Sequence, residues 1–482
     1  MSGARREKHD QAKRRSDQKR AGSKRRKREG LYDANRPVQE ADAGGIDVGS
    51  REMYVAVPPD RDQEPVQVFL TFTEDLERLA DWLVACRITT VAMESTGVYW
   101  IPVYQILESH GIRVCLVNAR HMKNVPGRRT DWHECQWLQY LHSVGLLRAA
   151  FRPEQAICAI RRLLRHRAEM VAMSSEHVLH MQKAMTEMNL MLHNVISDIT
   201  GVTGLEIIDA ILAGEKDAEK LSKLRDPRMK ADEETIRKSL VGDYREELLH
   251  ILRQSLELYR VYRKKISETD EQIQKLMRDL ESKVDLKVKP YSPPPKRRNK
   301  SKKQRRFEQG SFHMGEESYR IFGVDVARIP GMDGLNSYNL IGEVGPDLSA
   351  FPTCAHFISH MGLCPDNDIS GGKVLWRGSR KIQNRAAQAF RIAASTLHHS
   401  QNPLGDYLRR MKGSMGPAGA VFATARKIAT IFYTMVKNGV EYDETKLLGH
   451  ETERRRRLEV RVRKQAKTLG YKLVPAEEGA RA

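Results

Sequence analysis

The feature that most constrains the fold is a change of hydrophobic period along the chain. From Gly45 to Asn118, apolar and polar residues alternate in four short segments, with a helical stretch between the second and the third. The segments are GIDVGSREMYVAV, VQVFLTF, TTVAMEST and IRVCLVN, and the helical stretch is EDLERLADWLVAC. Because period-two alternation is typical of half-buried strands, residues 41–150 are predicted to form an α/β domain.

Among mixed-sheet architectures, an RNase H-like fold suits this domain. The first segment contains two strands joined by a short Gly-Ser turn, and the later strands alternate with helices. Strands that alternate with helices in this way favour a sheet covered by helices.

Residues 151–286 are predicted to be a long helical region, because almost no Gly or Pro interrupts two apolar-periodic segments. In the second segment five apolar residues recur every seven positions: Leu252, Tyr259, Ile266, Ile273 and Leu280. Heptad spacing indicates a coiled coil, within the chain or between subunits, so a homo-oligomer, dimer or tetramer, is expected. The methionines of the first segment are interpreted as packing residues.

The remaining segments divide by composition. Residues 1–40 form a basic arm with few large apolar side chains, which predicts disorder. Residues 287–316 form a basic, Pro-rich linker. A mainly helical third domain is predicted at 317–445, followed by a charged helix or tail at 446–482.

The charge balance favours a polyanionic partner. Lys and Arg total 82 against 62 Asp and Glu, for a formal net charge of +20. Nucleic acid is the leading candidate, through phosphate neutralisation and counterion release. A basic protein with solvated charged faces is the alternative that composition leaves open.

Cysteine usage and hydropathy predict a cytoplasmic, soluble protein with reduced thiols. The six cysteines are far apart, with no C-x-x-C pair, and the N-terminus has no secretory apolar region. No run of about eighteen apolar residues is present, so no membrane partner is expected.

Four acidic residues stand out by position. Asp47 lies in the first strand and Glu94 at the end of a later strand, while Asp131 and Glu134 begin a predicted helix. Residues three apart share one helical face, so Asp131 and Glu134 can point together toward the strand acids. Carboxylate oxygens suit Mg²⁺ or Mn²⁺, and a pair of such ions supports phosphodiester cleavage. Taken singly, an acid of this kind is more often an exposed charge or a salt-bridge partner.

Longer strings resemble the insertion-sequence "one-ten" family of transposases in two parts. One set of strings resembles its N-terminal DEDD domain: GIDVGSREMYVAV, AMESTGVYWIPVYQIL, LVNARHMKNVPGRRTD and DWHECQWLQYLHSVGLL. A second set resembles its C-terminal transposase domain: PGMDGLNSYNLIGEVG, SGGKVLWRGSRKIQNRAAQAFRIAASTLHHSQNPLGDYLRRM and ATARKIATIFYTMVKNGVEY. The resemblance covers most of 44–150 and 320–445, in the family's order.

The resemblance implies a RuvC-like, RNase H-like fold in which Asp47, Glu94, Asp131 and Glu134 bind Mg²⁺. The family usually has Asp at the last of these positions, and Glu134 is one methylene longer. It could bind the metal directly or through water, with neighbouring His133 as an alternative ligand.

The resemblance also implies a serine nucleophile in the segment DISGGKV, where Ser370 is the matching residue. Gly371 and Gly372 would let the backbone approach a phosphate closely, with Lys373 and Arg377 supplying positive charge. A flexible Gly-Gly turn is the alternative reading of this segment.

Two further nucleic-acid contacts are predicted in the third domain. IPGMDGLNSYNLIGEVG resembles a helix-hairpin-helix, in which the turn at Gly331 and Gly334 offers backbone N–H groups to phosphate. A basic cluster would contact the nucleic-acid backbone, or form an ordinary solvated helix face; it comprises Arg377, Arg380, Lys381 and Arg385.

The function implied is a prokaryotic, nucleoid-associated transposase or recombinase that excises and inserts its own DNA element. The two domains would combine in one composite active site, and an element-encoded structured RNA would guide the choice of DNA. Two alternatives stay open: a junction resolvase that uses the four acids and water, and an inactive nucleic-acid-binding remnant.

Overall fold

The computed structural model describes residues 37–95, 97–118, 130–293, 313–376, 378 and 384–472. Most of the basic arm, residues 294–312 of the linker, and Arg377, Arg380 and Lys381 lie outside the described residues. By its internal contacts the chain divides into two compact units, residues 1–152 and 153–482.

The first unit is built on a mixed sheet with helices on both faces. Its strands are β1 (Ala43–Val48), β2 (Glu52–Ala56), β3 (Val66–Leu70), β4 (Thr90–Glu94) and β5 (Arg113–Val117). The helices are α1 (Thr73–Ala85), α2 (Trp100–Ser109) and α3 (Asp131–Ser143). The five strands lie in the order β3-β2-β1-β4-β5, with β1, β4 and β5 parallel and β2 antiparallel to its neighbours. The predicted α/β domain is therefore confirmed.

Each face of the sheet carries its own apolar layer, because successive side chains of a strand point to opposite faces. Ile46 and Met93 belong to the core that includes Leu79 of α1 and Val103 of α2. On the other face Ala92 and Val117 pack against Leu138 of α3. Residues 45, 47, 92 and 94 therefore lie on the α3 face.

The second unit begins with a pair of long antiparallel helices, α4 (Gln155–Glu187) and α9 (Glu246–Arg278). The Arg245 guanidinium donates to the Glu187 carbonyl oxygen, His177 stacks on Tyr262, and Arg167 pairs with Asp270. Short helices close one end of the pair: α5 (Leu192–Val195), α6 (Val202–Leu212), α7 (Ala218–Ser222) and α8 (Glu233–Ser239). The predicted long helices are thus present.

The heptad residues of α9 are buried inside this one chain. Leu252, Tyr259, Ile266 and Ile273 are at most 6% exposed, whereas Leu280 lies beyond the helix end. Met181, Met185 and Met188 pack in the same core as Leu252, so these methionines are packing residues. A supercoil of the pair, or one between subunits, stays a prediction.

The rest of the second unit is mainly helical around a fully buried aromatic core of Phe322, Tyr338, Phe357, Phe390 and Phe432. The helices are α10 (Met314–Phe322), α11 (Gly334–Val344), α12 (Cys354–His360), α13 (Arg385–Ser395), α14 (Pro403–Asn438) and α15 (Thr445–Thr468). A two-stranded hairpin, β6 (Asp368–Ser370) and β7 (Lys373–Trp376), lies between α12 and α13.

Helix α14 folds back on itself at Gly416, where φ is +77° and Pro417 follows. The Lys427 ammonium lies 4.8 Å from the Tyr407 ring centroid. In a straight helix these residues would be roughly 30 Å apart. Gly416 supplies the positive φ, and proline suits the first turn of the helix that follows.

Among the helices that the structure describes, none combines the length and the apolar character that crossing a membrane requires.

Candidate active site

Helix α3 lies unusually close to β1. A Cβ atom on Gly45 would overlap two backbone atoms of α3, the carbonyl oxygen of Cys135 and the nitrogen of Gln139. Only glycine permits this approach, because any side chain would push the helix backbone away. Gly45 therefore sets the distance between α3 and the strand that carries Asp47.

Hydrogen bonds fix the C-terminal half of α3 along the sheet. The Gln139 side-chain amide donates to the Ala43 carbonyl oxygen at 3.2 Å. The His142 ring nitrogen Nε2 lies 2.9 Å from Thr90 Oγ1 in a buried contact, and burial lowers the pKa of His142. These contacts join α3 to the first residues of β1 and β4, so its N-terminal turn lies toward the strands' C-terminal ends.

The two strand acids are neighbours at that end of the sheet. In the parallel pairing of β1 with β4, Ile46 is opposite Met93. The next residues are Asp47 and Glu94, and both lie on the α3 face. The structure thus brings the strand acids and the first turn of α3 to one region.

The pKa of Asp47 reflects both its burial and the other three acids. Burial is the main reason that the pKa of Asp47 rises to about 7. Further contributions, in decreasing order, come from the charges of Glu134, Asp131 and Glu94. Repulsion among carboxylates disfavours the ionised form of Asp47, which is the expected behaviour of acids that share a site.

The donor set fits a hard divalent cation. Its side chains offer carboxylate oxygens, the ligands that Mg²⁺ and Mn²⁺ prefer, and a bound cation would offset their mutual repulsion. Within the described ranges, no three His, Cys, Asp or Glu side chains already form a group that could hold an ion. The acids are therefore within electrostatic reach of one another but not in a closed ligand arrangement.

His133 is engaged at the start of α3. Its ring nitrogen Nδ1 lies 2.6 Å from Oγ1 of Thr130, the residue before the helix. It is two positions after Asp131, which on an α-helix corresponds to roughly 200° of rotation. A shared ligand face is therefore available to Asp131 with Glu134 rather than to Asp131 with His133.

The predicted nucleophile lies at the tip of the β6–β7 hairpin. Ser370 is exposed and pairs with Lys373, and the turn between them is Gly371-Gly372 with φ of +55° and +75°. Positive φ at both positions is typical of a type I′ hairpin turn, which favours glycine. Among the residues that the structure describes, none has an atom within 4 Å of a Cβ built on either glycine. The glycines are thus required by the turn's conformation and not by crowding.

The predicted helix-hairpin-helix is not confirmed. A Cβ on Gly331 would overlap the Ala393 carbonyl oxygen of α13, and one on Gly334 would lie 3.0 Å from Met314 Cβ of α10. The Asp333 carboxylate caps α11 by accepting a hydrogen bond from the backbone N–H of Asn336. Both glycines therefore have a packing role, and their contact with phosphate stays a prediction.

Of the predicted basic cluster, the described residue is Arg385. It is exposed in the first turn of α13, 3.9 Å from a Glu169 carboxylate oxygen. Arg377, Arg380 and Lys381 lie outside the described residues, so the cluster as a whole stays a prediction.

Sequence reasoning missed three positioning residues. The period-two pattern places Gly45 in an ordinary strand, and no pattern in the sequence singles out Gln139 or His142 on α3. A glycine two residues before a strand acid was the available signal for Gly45, because a strand interior disfavours glycine unless another backbone approaches.

Comparison with known families identifies the chain. A family model described as "Transposase" (DEDD_Tnp_IS110) matches residues 44–190, and the model "Transposase IS116/IS110/IS902 family" matches residues 325–409. A search of curated proteins finds no match. The DEDD domain implies an RNase H-like α/β fold, and the mixed five-stranded sheet agrees with it. The chain belongs to the IS110 family of transposases and is a DNA transposase.

Proposed function

We propose that this transposase cuts and rejoins DNA with two sets of groups, the carboxylates around Asp47 and the hydroxyl of Ser370. The observation that carries the proposal is the placement of the acids: Asp47 and Glu94 directly follow paired residues of β1 and β4, and Asp131 and Glu134 stand in the first turn of α3. Burial and the charges of the other three carboxylates raise the pKa of Asp47 accordingly. Clusters of mutually repelling acids are costly to the fold, and such perturbed groups concentrate at functional sites.

Asp47, Glu94, Asp131 and Glu134 would hold Mg²⁺ or Mn²⁺. When bound, such a cation activates an oxygen nucleophile and stabilises a leaving oxygen in phosphoryl transfer. Gly45, Gln139 and His142 serve this site by holding α3 against the sheet, so that Asp131 and Glu134 stay near the strand acids.

The Ser370 hydroxyl would attack the DNA phosphorus. Its Oγ–P bond forms as the bond from phosphorus to the DNA 3′-oxygen breaks; the serine gives up its proton, and the leaving oxygen gains one. In rejoining, a DNA 3′-hydroxyl attacks the serine phosphoester and restores the hydroxyl of Ser370. The number of phosphoester bonds is conserved, so no external energy source is needed, whereas attack by water would lose the bond to hydrolysis.

DNA and a structured guide RNA are the proposed nucleic-acid partners. The net charge of +20 and the exposed residues Lys373 and Arg385 support a surface that neutralises phosphates. RNA guidance follows from the family resemblance. If it holds here, the protein co-expressed with its flanking DNA carries a nuclease-resistant RNA of defined length, and random host fragments alone would contradict it.

A homo-oligomer through α9 is proposed from its exposed apolar residues. Ile251 and Leu258 are 44% and 45% exposed and lie seven positions apart, and Val261 is 53% exposed. Heptad spacing places the first two on one face of the helix, away from the seam that α4 covers.

The metal site is tested with single substitutions. Asp47→Ala and Asp131→Ala are expected to abolish Mg²⁺-dependent DNA cleavage while leaving nucleic-acid binding nearly intact, because the acids hold metal and basic surfaces hold phosphate. Glu74→Ala removes an exposed acid of α1, on the opposite side of the sheet, and serves as the matched control. Full cleavage by either site variant contradicts the assignment.

A further inference from the structure

The β6–β7 hairpin exposes apolar side chains on both of its faces. Ile369 is 63% exposed, Val374 42%, Leu375 70% and Trp376 52%. An isolated two-stranded hairpin is at best marginally stable in water, so one that also exposes this much apolar surface is expected to bind a partner.

The pairing register sorts these side chains by face. Ser370 pairs with Lys373 and the backbone of Asp368 pairs with Trp376, while Ile369 pairs with Val374. Partners across an antiparallel pair point to the same face, and neighbours along a strand point to opposite faces. An irregularity in the register near Asp368 and Ile369 leaves Leu375 without a counterpart, and this extra residue interrupts the alternation along β7. Trp376 therefore takes the face of residue 368, its partner position. Ser370, Lys373 and Trp376 therefore share one face, and Ile369 lies on the other.

The Trp376 ring is supported from behind by Gly378. A Cβ atom on Gly378 would overlap the six-membered part of the indole, so a side chain there would displace the ring. The indole is nevertheless 52% exposed. It is thus a flat aromatic surface held by backbone on one side and open to solvent on the other.

We propose that Trp376 stacks on a nucleobase beside the phosphate that Ser370 attacks and so positions the DNA strand for cleavage. The inference rests on the proposed function of Ser370. Exposed aromatic rings next to a cationic side chain are the usual platform for nucleic-acid bases, since every base has a π-face. Trp376 pairs with residue 368, which lies two positions before Ser370 in β6. Trp376 and Ser370 are therefore offset by roughly 7 Å along the hairpin.

The charge of this face favours a nucleotide as its occupant. Lys373 lies on the Trp376 face, and the chain carries a net charge of +20. A cation on this face favours a polyanion that also offers a flat apolar surface, which describes a nucleotide better than an apolar protein segment. Trp376 is a positioning residue, because the reacting atoms belong to Ser370 and the phosphate.

The test measures base stacking separately from chemistry. The full chain carrying Ser370→Ala is bound to DNA that spans the junction of element end and flanking DNA and is single-stranded around the cleaved bond, with 2-aminopurine at one position at a time. Stacking on an indole quenches this fluorescent base. The variants added to that chain are Trp376→Ala, Trp376→Phe, which keeps a stacking ring, and Ile369→Ala, which removes an exposed apolar side chain from the opposite face.

We expect quenching at a position next to the cleaved bond, lost in Trp376→Ala, retained in part by Trp376→Phe and unchanged in Ile369→Ala. In chains that keep Ser370, Trp376→Ala is expected to raise the KM for DNA by about tenfold. Gly378→Val, which displaces the ring, should lower quenching as Trp376→Ala does. If DNA bound to the chain that keeps Trp376 and DNA bound to the Trp376→Ala variant are equally fluorescent at every position, the inference is overturned.

A different measurement tests the proposed function of Ser370. If the unmutated chain forms no covalent product through Ser370, the nucleophile assignment is wrong. The fluorescence scan still reports on stacking in that case, because it is made on a chain that performs no chemistry. An unquenched scan together with normal covalent product leaves the function intact and removes the role of Trp376.

Discussion

Gly45 of β1 lies directly beneath the backbone of Cys135 on α3, where a Cβ atom would overlap the Cys135 carbonyl oxygen. Cys135 follows Glu134, and Gly45 lies two residues before Asp47 on the same face of the strand. One close backbone contact therefore links β1 and α3, two of the three elements that supply the acids.

Gly45→Ala is expected to abolish most Mg²⁺-dependent cleavage. The added methyl must move α3 and so separate Asp131 and Glu134 from Asp47. Gly44→Ala is the matched control, because its Cβ would meet mainly side-chain methyl groups, those of Val91 and Ile88, on the other face of the sheet. Cleavage rates and thermal unfolding are measured for both variants. Normal cleavage by a folded Gly45→Ala protein would show that α3 spacing is unimportant.

Asp47→Asn is expected to stabilise the metal-free protein at high pH. The pKa of Asp47 rises from 3.8 to about 7, so the folded chain binds this proton more tightly than the unfolded chain. Stability is therefore lost as pH rises from about 4 to about 7, and asparagine avoids that loss.

Thermal unfolding in a metal chelator checks this result. At pH about 8 the Tm of Asp47→Asn should exceed that of the unmutated chain by a few degrees. The difference should vanish near pH 3, where Asp47 is mostly protonated in both states. Glu74→Gln, at an exposed acid, should show no such gain. An Asp47→Asn variant that is less stable than the unmutated chain at high pH contradicts the repulsion around Asp47.

Glu134→Asp is expected to retain or improve cleavage, because the family usually has Asp at this position. The His133→Ala variant should stay active, since the His133 ring is held by Thr130 and does not share the helical face of Asp131 and Glu134. Steady-state cleavage at varied Mg²⁺ concentration distinguishes a change of metal affinity from a change of rate. If both variants are inactive, the ligand set must be redrawn.

Ile251→Lys combined with Leu258→Lys is expected to reduce the mass of the assembly. Two lysines on an apolar helical face oppose burial between subunits. Sedimentation of the full chain measures the change, and Val241→Lys, at a residue that is 56% exposed outside α9, is the control. An unchanged mass would exclude this face as the subunit contact.

The sheet could be predicted from the sequence because period-two segments are a local signal, and the i, i+3 spacing of Asp131 and Glu134 likewise indicated a shared helical face. Metal binding by the acids stays a prediction. The close packing of α3 could not, because it depends on Gly45 meeting a helix some ninety residues later in the chain. The heptads of α9 predicted a helical seam but left its partner open, and the structure supplies α4. The glycines of 329–345 matched a phosphate-binding turn in pattern, whereas their neighbours are the helices α10 and α13.

The most direct test of the account is whether a covalent protein–DNA adduct forms through Ser370. The unmutated chain, with its guide RNA, DNA and Mg²⁺, is denatured and assayed for DNA that remains attached to protein. We predict an adduct that requires both Mg²⁺ and Ser370, so that Ser370→Ala binds nucleic acid normally but yields neither adduct nor recombinant product. An adduct that persists in Ser370→Ala would assign the nucleophile to another hydroxyl, with Ser379 the first to examine. Recombination by the unmutated chain without any adduct would contradict the covalent mechanism.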